Sequence, residues 1–288
     1  MTKYEKDYID LLNRVLNNAD DTYKKNRTKS KCLSKFGESI TVDLKNKHGI
    51  SSFPILIGRK MYPKTFFTEL KWFMEGETNI KRFQDAGIKI WDKWADKRGE
   101  LGPVYGFQLR KWGGMRVKHP FDQLNDVMYN LKYMPESRRH VVTLWDPFEI
   151  DDMALPPCYH SFTFNVTNGK LNCHVSMRSS DVFVGLPYDI ALFATMVHLM
   201  CHSLSPRMSL DALIPGKLHF SLTDAHIYWQ NMDAVQEYLE DMKKGSTNPG
   251  VPPALVYPFN QDIYNFNPED LLICNYTPKK SYKVEVVE

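Results

Sequence analysis

Between Leu155 and Asp189 the sequence gathers a thiol, a guanidinium, hydroxyls and carboxylates at spacings that a short hairpin would bring together. In Leu155-Pro156-Pro157-Cys158 two prolines fix φ and withdraw backbone donors, so Cys158 ends a stiff arm rather than sitting inside a helix. That placement suits a nucleophile. Residues Ser161 to Val166 alternate polar and apolar, Asn168-Gly169 is a hairpin-turn signal, and Leu171, Cys173, Val175 and Met177 continue the alternation on a returning strand. The hairpin carries Arg178 and Ser179 back toward Cys158. A cysteine, an arginine-serine pair suited to an anion, and an acidic residue after Leu186-Pro187 can then line one pocket. A cation there would also favour the thiolate.

Other segments must supply the rest. Thr65 to Gly76 has helical period, with Glu69 set among aromatics. Buried, that carboxyl has a raised pKa and can work as acid or base near neutrality; otherwise it is an ordinary exposed helix glutamate. Trp91, Trp94 and Tyr105 lie in two aromatic stretches, Ile90 to Asp96 and Gly99 to Gly106, where plain core packing and a Gly102-Pro103 turn are the simpler readings. Arg138 and Arg139 precede an apolar run, His140 to Trp145, that reads as a strand. His226 and Tyr228 are either satisfied core residues or polar groups of a site.

Leu-Pro-Pro-Cys ending at Cys158, followed by Arg178-Ser179-x-Asp181-Val182-Phe183-x-Gly185-Leu186-Pro187-x-Asp189-Ile190, resembles the thymidylate synthase superfamily, which includes the phage pyrimidine nucleotide hydroxymethylases. Glu69, Leu70, Trp72, Phe73, Gly76, Thr78 and Asn79 match a second pattern of that family. The resemblance runs from about Tyr4 to about Tyr228 and is poor beyond it. It implies one α/β (α+β) catalytic domain over residues 1–288, a mixed β-sheet flanked by helices, and a homodimer with shared sites. It also implies 5,10-methylenetetrahydrofolate as co-substrate, and no metal.

The same resemblance assigns roles. Cys158 is the covalent catalyst, Glu69 manages protons and Tyr105 stands near the thiol. Arg27 and Arg178, with Ser179 and Ser180, face the nucleotide and its phosphate, and Arg138 and Arg139 reach across the dimer to the partner's phosphate, where arginine's fork of donors fits. His226 and Tyr228 meet the sugar hydroxyl. Trp91 and Trp94 wall the folate side, Asp181 contacts the pterin, and Gly185 and Leu186 lie beside it.

Asp189 bears on the substrate. Family members that use dUMP carry asparagine there, which accepts from N3 of uracil and donates to its 4-oxygen. An ionised aspartate only accepts, which suits the 4-amino group of cytosine. A buried mismatch is worth several kcal/mol, on the order of a thousandfold. The competing role is a helix N-cap before Ile190, which asparagine fills equally well. Tyr159 after the cysteine, where the family usually has histidine, and Met177 before Arg178, where it has glutamine, are further departures. Arg59 and Lys60 replace a common lysine-arginine pair, and Val284 to Glu288 lacks the apolar end that closes the site. The expected reaction is hydroxymethylation of dCMP at C5. Its rivals are a dCMP methylase, a CMP hydroxymethylase, an ordinary thymidylate synthase and a non-catalytic nucleotide-binding or structural paralogue.

Composition sets the outer bounds. The 288 residues are 43% hydrophobic and 25% charged, enough for a large core, and a net charge of +3 argues against a nucleic-acid partner. Five cysteines without a Cys-x-x-Cys pair do not suggest a disulfide framework or a zinc site. The longest apolar run, Ile190 to Cys201, is too short to span a bilayer, and no leader pattern opens the chain, so a soluble cytoplasmic protein is expected, in the host cytoplasm if phage-encoded. Helical period predicts helices over Tyr4 to Leu16, Phe121 to Leu131 and Ile190 to Leu204. Strands are predicted around Ile40 to Leu44 and Phe53 to Ile57. Asn17 to Lys31, with Lys24, Lys25, Arg27, Lys29 and Lys31, reads as a solvated loop, and Gly245 to Glu288 gives little signal.

Overall fold

The computed structural model describes residues 1–25, 29–45, 52–205, 212–245 and 250–287. Helix α1 (Lys3–Asn17) starts where the Thr2 hydroxyl accepts from the Glu5 N–H, and its buried stripe is Tyr4, Tyr8, Leu11, Leu12 and Val15. Strands β1 (Asp21–Lys25) and β2 (Lys31–Asp43) follow, then α2 (Pro63–Glu75), α3 (Lys81–Asp85), α4 (Tyr105–Arg110), α5 (Gln123–Tyr133) and β3 (Val141–Thr143). The central hairpin is β4 (Tyr159–Thr167) with β5 (Lys170–Met177), after which come β6 (Ser180–Asp181), α6 (Leu186–Leu204), β7 (Ile214–Tyr228) and α7 (Met232–Lys244).

Among the described residues these strands make one seven-stranded mixed sheet in the order β1-β2-β7-β5-β4-β3, with β6 added beside β7. Most neighbours are antiparallel, but β7 runs parallel to β5 and to β6. Along β5 Leu171, Cys173, Val175 and Met177 are buried, while Asn172, His174 and Ser176 turn to the other, polar face. Helices α1 and α6 pack on the buried face, and α2 lies against α6.

The hairpin forms as its sequence predicts, with Asn168 and Gly169 both at positive φ, 51° and 69°. Helix α2 begins with Pro63 and stops at Gly76, whose φ of 66° is the left-handed cap that glycine adopts without strain. At Gly106 a Cβ would meet the Phe73 backbone at 2.8 to 3.2 Å, so glycine lets α4 pack directly on α2.

Three expectations fail. Part of the polar segment Asn17 to Lys31 is strand β1, an edge strand that needs only one ladder and whose sequence, Asp21 to Lys25, carries no apolar alternation. Phe53 to Ile57 is buried but forms no strand: Pro54 has no N–H to give, and Phe53 donates to the carbonyl of Pro253 instead. Helix α6 starts at Leu186, not Ile190, with Gly185 at its N-cap and Pro187 in its first turn. No helix among the described residues is long and apolar enough to cross a membrane.

Candidate active site

Where β5 and β6 end and α6 begins, a cavity of about 540 Å³ opens, and Cys158, Glu69, Tyr105 and Asp189 all line it. Cys158 is half-buried. Its backbone is held from two sides: its N–H donates to the Tyr105 hydroxyl at 3.0 Å, and its carbonyl accepts from the Arg178 N–H at 2.9 Å. The pairing of Tyr159 with Met177 across the hairpin brings Arg178 there, as the sequence predicts. Arg178 also braces the arm that carries the cysteine. Its Nε donates to the Pro157 carbonyl at 2.9 Å and its Nη2 to that of Pro156 at 2.7 Å. Two donors are thus committed to backbone, and Nη1 has no partner among the described residues.

Glu69 projects from α2 into the cavity, and Trp91 Nε1 donates to its Oε1 at 3.0 Å. Burial pushes its pKa up to about 7 against the smaller opposing effect of that hydrogen bond. Asp189 is pushed well above the usual carboxylate range, first by burial and then by the neighbouring charges of Glu69 and Asp181. The shift favours the protonated form, which has one donor and one acceptor, where the ionised group expected from sequence only accepts. Nor is it an N-cap. It sits in the first turn of α6, its N–H bonded to the Gly185 carbonyl at 3.1 Å, and its carboxyl takes no hydrogen bond from the described residues.

Tyr105 stacks on Phe73 at 5.1 Å and lies 4.8 Å from Tyr159, and burial raises both phenols far above their ordinary pKa, so both stay neutral hydroxyls. Trp91 and Trp94 meet edge to face at 5.8 Å on another wall, and Trp94 Nε1 is buried without a partner among the described residues. A flat co-substrate with a polar edge fits there. Asp181 also lines the cavity, but its Oδ1 accepts from Phe183 and Val184 N–H at 3.0 and 2.9 Å, which caps the turn into α6. Ser179, Ser180, Gly185, His226 and Tyr228 complete the sequence-predicted lining, with the Ser180 hydroxyl buried and without a partner among the described residues.

Some predicted residues are elsewhere. Leu186 is wholly buried and is no part of the cavity lining, because the early start of α6 turns it into the core. Arg138 and Arg139 are exposed on the approach to edge strand β3, away from this cavity of their own chain. Arg27 lies outside the described residues.

Sequence reasoning missed Lys24, Cys32, Trp145, Asp224, Val286 and Val287, all of which line the cavity. Asp224, two residues before His226 on a strand, had an alternation signal that would have found it. The tail had none. It reaches the cavity because Asn231, nearly fully buried, brackets Glu285: Nδ2 donates to its carbonyl at 2.9 Å and Oδ1 accepts from its N–H at 2.8 Å. Lys93 then donates to the Val286 carbonyl at 3.2 Å. The expectation that the carboxyl end leaves the site uncovered is corrected by this bracket. A wider groove of about 1050 Å³ lies along Glu75 to Arg82, where Arg82 pairs with Glu75 and Glu77, and Lys81 with Asp85.

A held thiol, a carboxyl poised near neutrality and flat aromatic walls can together carry out covalent catalysis on a planar ring. The family follows from comparison: a model described as thymidylate synthase matches residues 6–288, and the chain belongs to that family. The match continues past Tyr228, where the motif resemblance fades. Members of this family are enzymes that transfer a one-carbon unit from methylenetetrahydrofolate to C5 of a pyrimidine nucleotide.

Proposed function

We propose that this chain transfers a one-carbon unit from 5,10-methylenetetrahydrofolate to C5 of dCMP and gives 5-hydroxymethyl-dCMP. The observation that carries the reading is Asp189, whose carboxyl faces the cavity with no partner from the described residues and with no capping role. Neutral, it donates to N3 of cytosine and accepts from the 4-amino group. If the proton moves to N3, both hydrogen bonds survive and the ring becomes a better electrophile at C6. Uracil matches only the neutral acid, because the carboxylate would set its lone pairs against the 4-oxygen.

In this reading the Cys158 thiolate adds to C6 and makes C5 nucleophilic. The folate supplies the one-carbon unit. Trp91 and Trp94 hold it against the ring, Glu69 accepts the C5 proton and passes it to the departing folate nitrogen, and water then adds to the methylene left on C5, with the freed Glu69 carboxylate taking its proton as Cys158 leaves. A pKa near 7 suits that shuttling. The last step has a second reading. Val286 and Val287 line the cavity with Trp91 and exclude water, which favours hydride delivery and 5-methyl-dCMP.

The active form we propose is a homodimer, with Arg138 and Arg139 on the partner's nucleotide phosphate. Their exposure beside an edge strand supports this. Tritium release from C5 of labelled dCMP, dUMP and CMP, measured in parallel with methylenetetrahydrofolate present, tests the substrate. Release from dCMP well above the other two is expected, and preference for dUMP or CMP overturns the assignment.

A further inference from the structure

His226 is fixed in place more firmly than a core histidine requires. Its backbone pairs with Ser34 of β2 on one side and Asp181 of β6 on the other, and its carbonyl accepts from the Val182 N–H at 3.0 Å. The Tyr228 ring meets it nearly perpendicular at 5.0 Å, which sets the imidazole plane. Its Nδ1 lies 3.2 Å from Asp224 Oδ1. The opposite nitrogen, Nε2, has no partner among the described residues, on a ring that lines the cavity.

Asp224 is itself held as an anion. Ser34 Oγ donates to Oδ1 at 3.0 Å, and Lys24, reaching over from edge strand β1, forms an ion pair with Oδ2. Burial alone would raise this carboxyl, but the donors from His226, Lys24 and Ser34 outweigh it and leave it well below the usual carboxylate range. A carboxylate accepts and does not donate, so the proton of the neutral imidazole belongs on Nδ1.

We propose that Asp224 is a positioning residue that fixes His226 as the Nδ1–H tautomer and thereby turns the Nε2 lone pair into the cavity as acceptor for a sugar hydroxyl of the nucleotide. This rests on the nucleotide reading of the cavity. Lys24 and Ser34 act one step further out, by holding Asp224 ionised and oriented.

Nitrogen-15 NMR of the histidines in the unaltered protein is the first test, and it needs no variant. At a pH where the ring is neutral, His226 is expected to carry its proton on Nδ1, and a neutral ring protonated on Nε2 overturns the proposal. The second test is binding of dCMP and of its 2′,3′-dideoxy analogue by calorimetry. Asp224→Asn presents an amide donor that favours the other tautomer, so loss of the hydroxyl contact should weaken dCMP by roughly tenfold, from the net worth of one hydrogen bond. The dideoxy analogue, lacking the hydroxyl, should bind wild type and variant alike. Equal weakening of both nucleotides marks a merely structural residue, and no weakening of either removes the role. If wild type binds neither nucleotide, the nucleotide reading itself has failed; if wild type prefers dCMP to the analogue, that reading stands and only the role of Asp224 is at stake in the variant.

Discussion

The backbone N–H of Cys158 donates to the phenolic oxygen of Tyr105 at 3.0 Å across 53 positions of sequence. Tyr105 is the first residue of α4 and stacks on Phe73 of α2, so the helix that presents Glu69 also sets, through two rings, where the cysteine stands. Tyr105→Phe keeps the ring and removes the acceptor. An orphaned buried N–H costs about 1–3 kcal/mol. We expect kcat to fall by about tenfold or more with the fold intact. Cys158→Ser, by contrast, should abolish turnover while nucleotide binding by calorimetry stays near wild type. Turnover by that variant at a near-normal rate would rule out covalent catalysis.

Asp189→Asn should move preference from dCMP toward dUMP, because an amide accepts from N3–H and donates to the 4-oxygen of uracil. Helix α6 should be unaffected, since Gly185 and not Asp189 stands at its N-cap. Unchanged selectivity in paired kcat/KM measurements would take the base-reading role away from Asp189.

Much of this site was legible because it is local. The prolines before Cys158, the Asn168-Gly169 turn and the strand alternation place Arg178 beside the thiol with no knowledge of the rest of the chain. What stayed hidden depends on distant partners. The upward shift of Asp189 follows first from burial, which no single stretch encodes, and then from Glu69, which lies on another helix. The return of Val286 and Val287 follows from two hydrogen bonds made by Asn231. Strand β1 was missed because the segment Asp21 to Lys25 carries no apolar alternation. The non-strand at Phe53 to Ile57 shows the converse, since a buried apolar run with a proline satisfies its backbone outside any ladder: Lys279 donates to the Ile57 carbonyl at 2.8 Å.

Glu69 offers a pH test that needs no substrate. Its folded pKa of about 7 exceeds the ordinary carboxyl value, so the folded state binds the proton more tightly than the unfolded chain. Its contribution to stability is complete below the unfolded pKa and is lost as pH rises through the folded one. Glu69→Gln, which cannot ionise, should therefore raise Tm relative to wild type at pH about 8 and have less effect at pH about 5. Equal shifts at both pH values would mean that Glu69 is not held protonated. Activity should follow the same group: Trp91→Phe removes the donor that favours the carboxylate and should shift the Glu69 limb of the kcat/KM profile upward, by about one unit.

The shared site is tested by mixing. Arg138→Ala and Cys158→Ser proteins should each be inactive as homodimers. Subunit exchange should restore part of the activity, because a heterodimer assembles one site with both the intact thiol and the intact arginine. Mixtures in which heterodimers form but activity does not recover would sever Arg138 and Arg139 from the partner's phosphate.

How the reaction ends separates two products of the same covalent adduct. Once the folate has departed from C5, the exocyclic methylene accepts either hydride or water, and geometry decides between them. Hydride transfer needs the donor held against the methylene, and a misplacement of about 1 Å costs on the order of a hundredfold. Water needs only access and a base. Glu69, with a pKa of about 7, supplies the base, and its half-buried side chain keeps contact with the cavity. Against this stands the tail, whose Val286 and Val287 cover part of the opening through the Asn231 bracket. The bracket is made entirely through the backbone of Glu285, so it can be released without touching a cavity-lining side chain. We expect tetrahydrofolate as the folate product, none of the near-ultraviolet absorbance rise that dihydrofolate brings, and a nucleotide whose mass carries a hydroxymethyl group. Asn231→Ala should then lower the rate through looser folate binding while leaving the product unchanged. If the wild type forms dihydrofolate in step with a methylated nucleotide, and Asn231→Ala diverts that product to the hydroxymethyl form, the tail is a working water barrier and the enzyme is a methylase, with the cytosine assignment at Asp189 untouched.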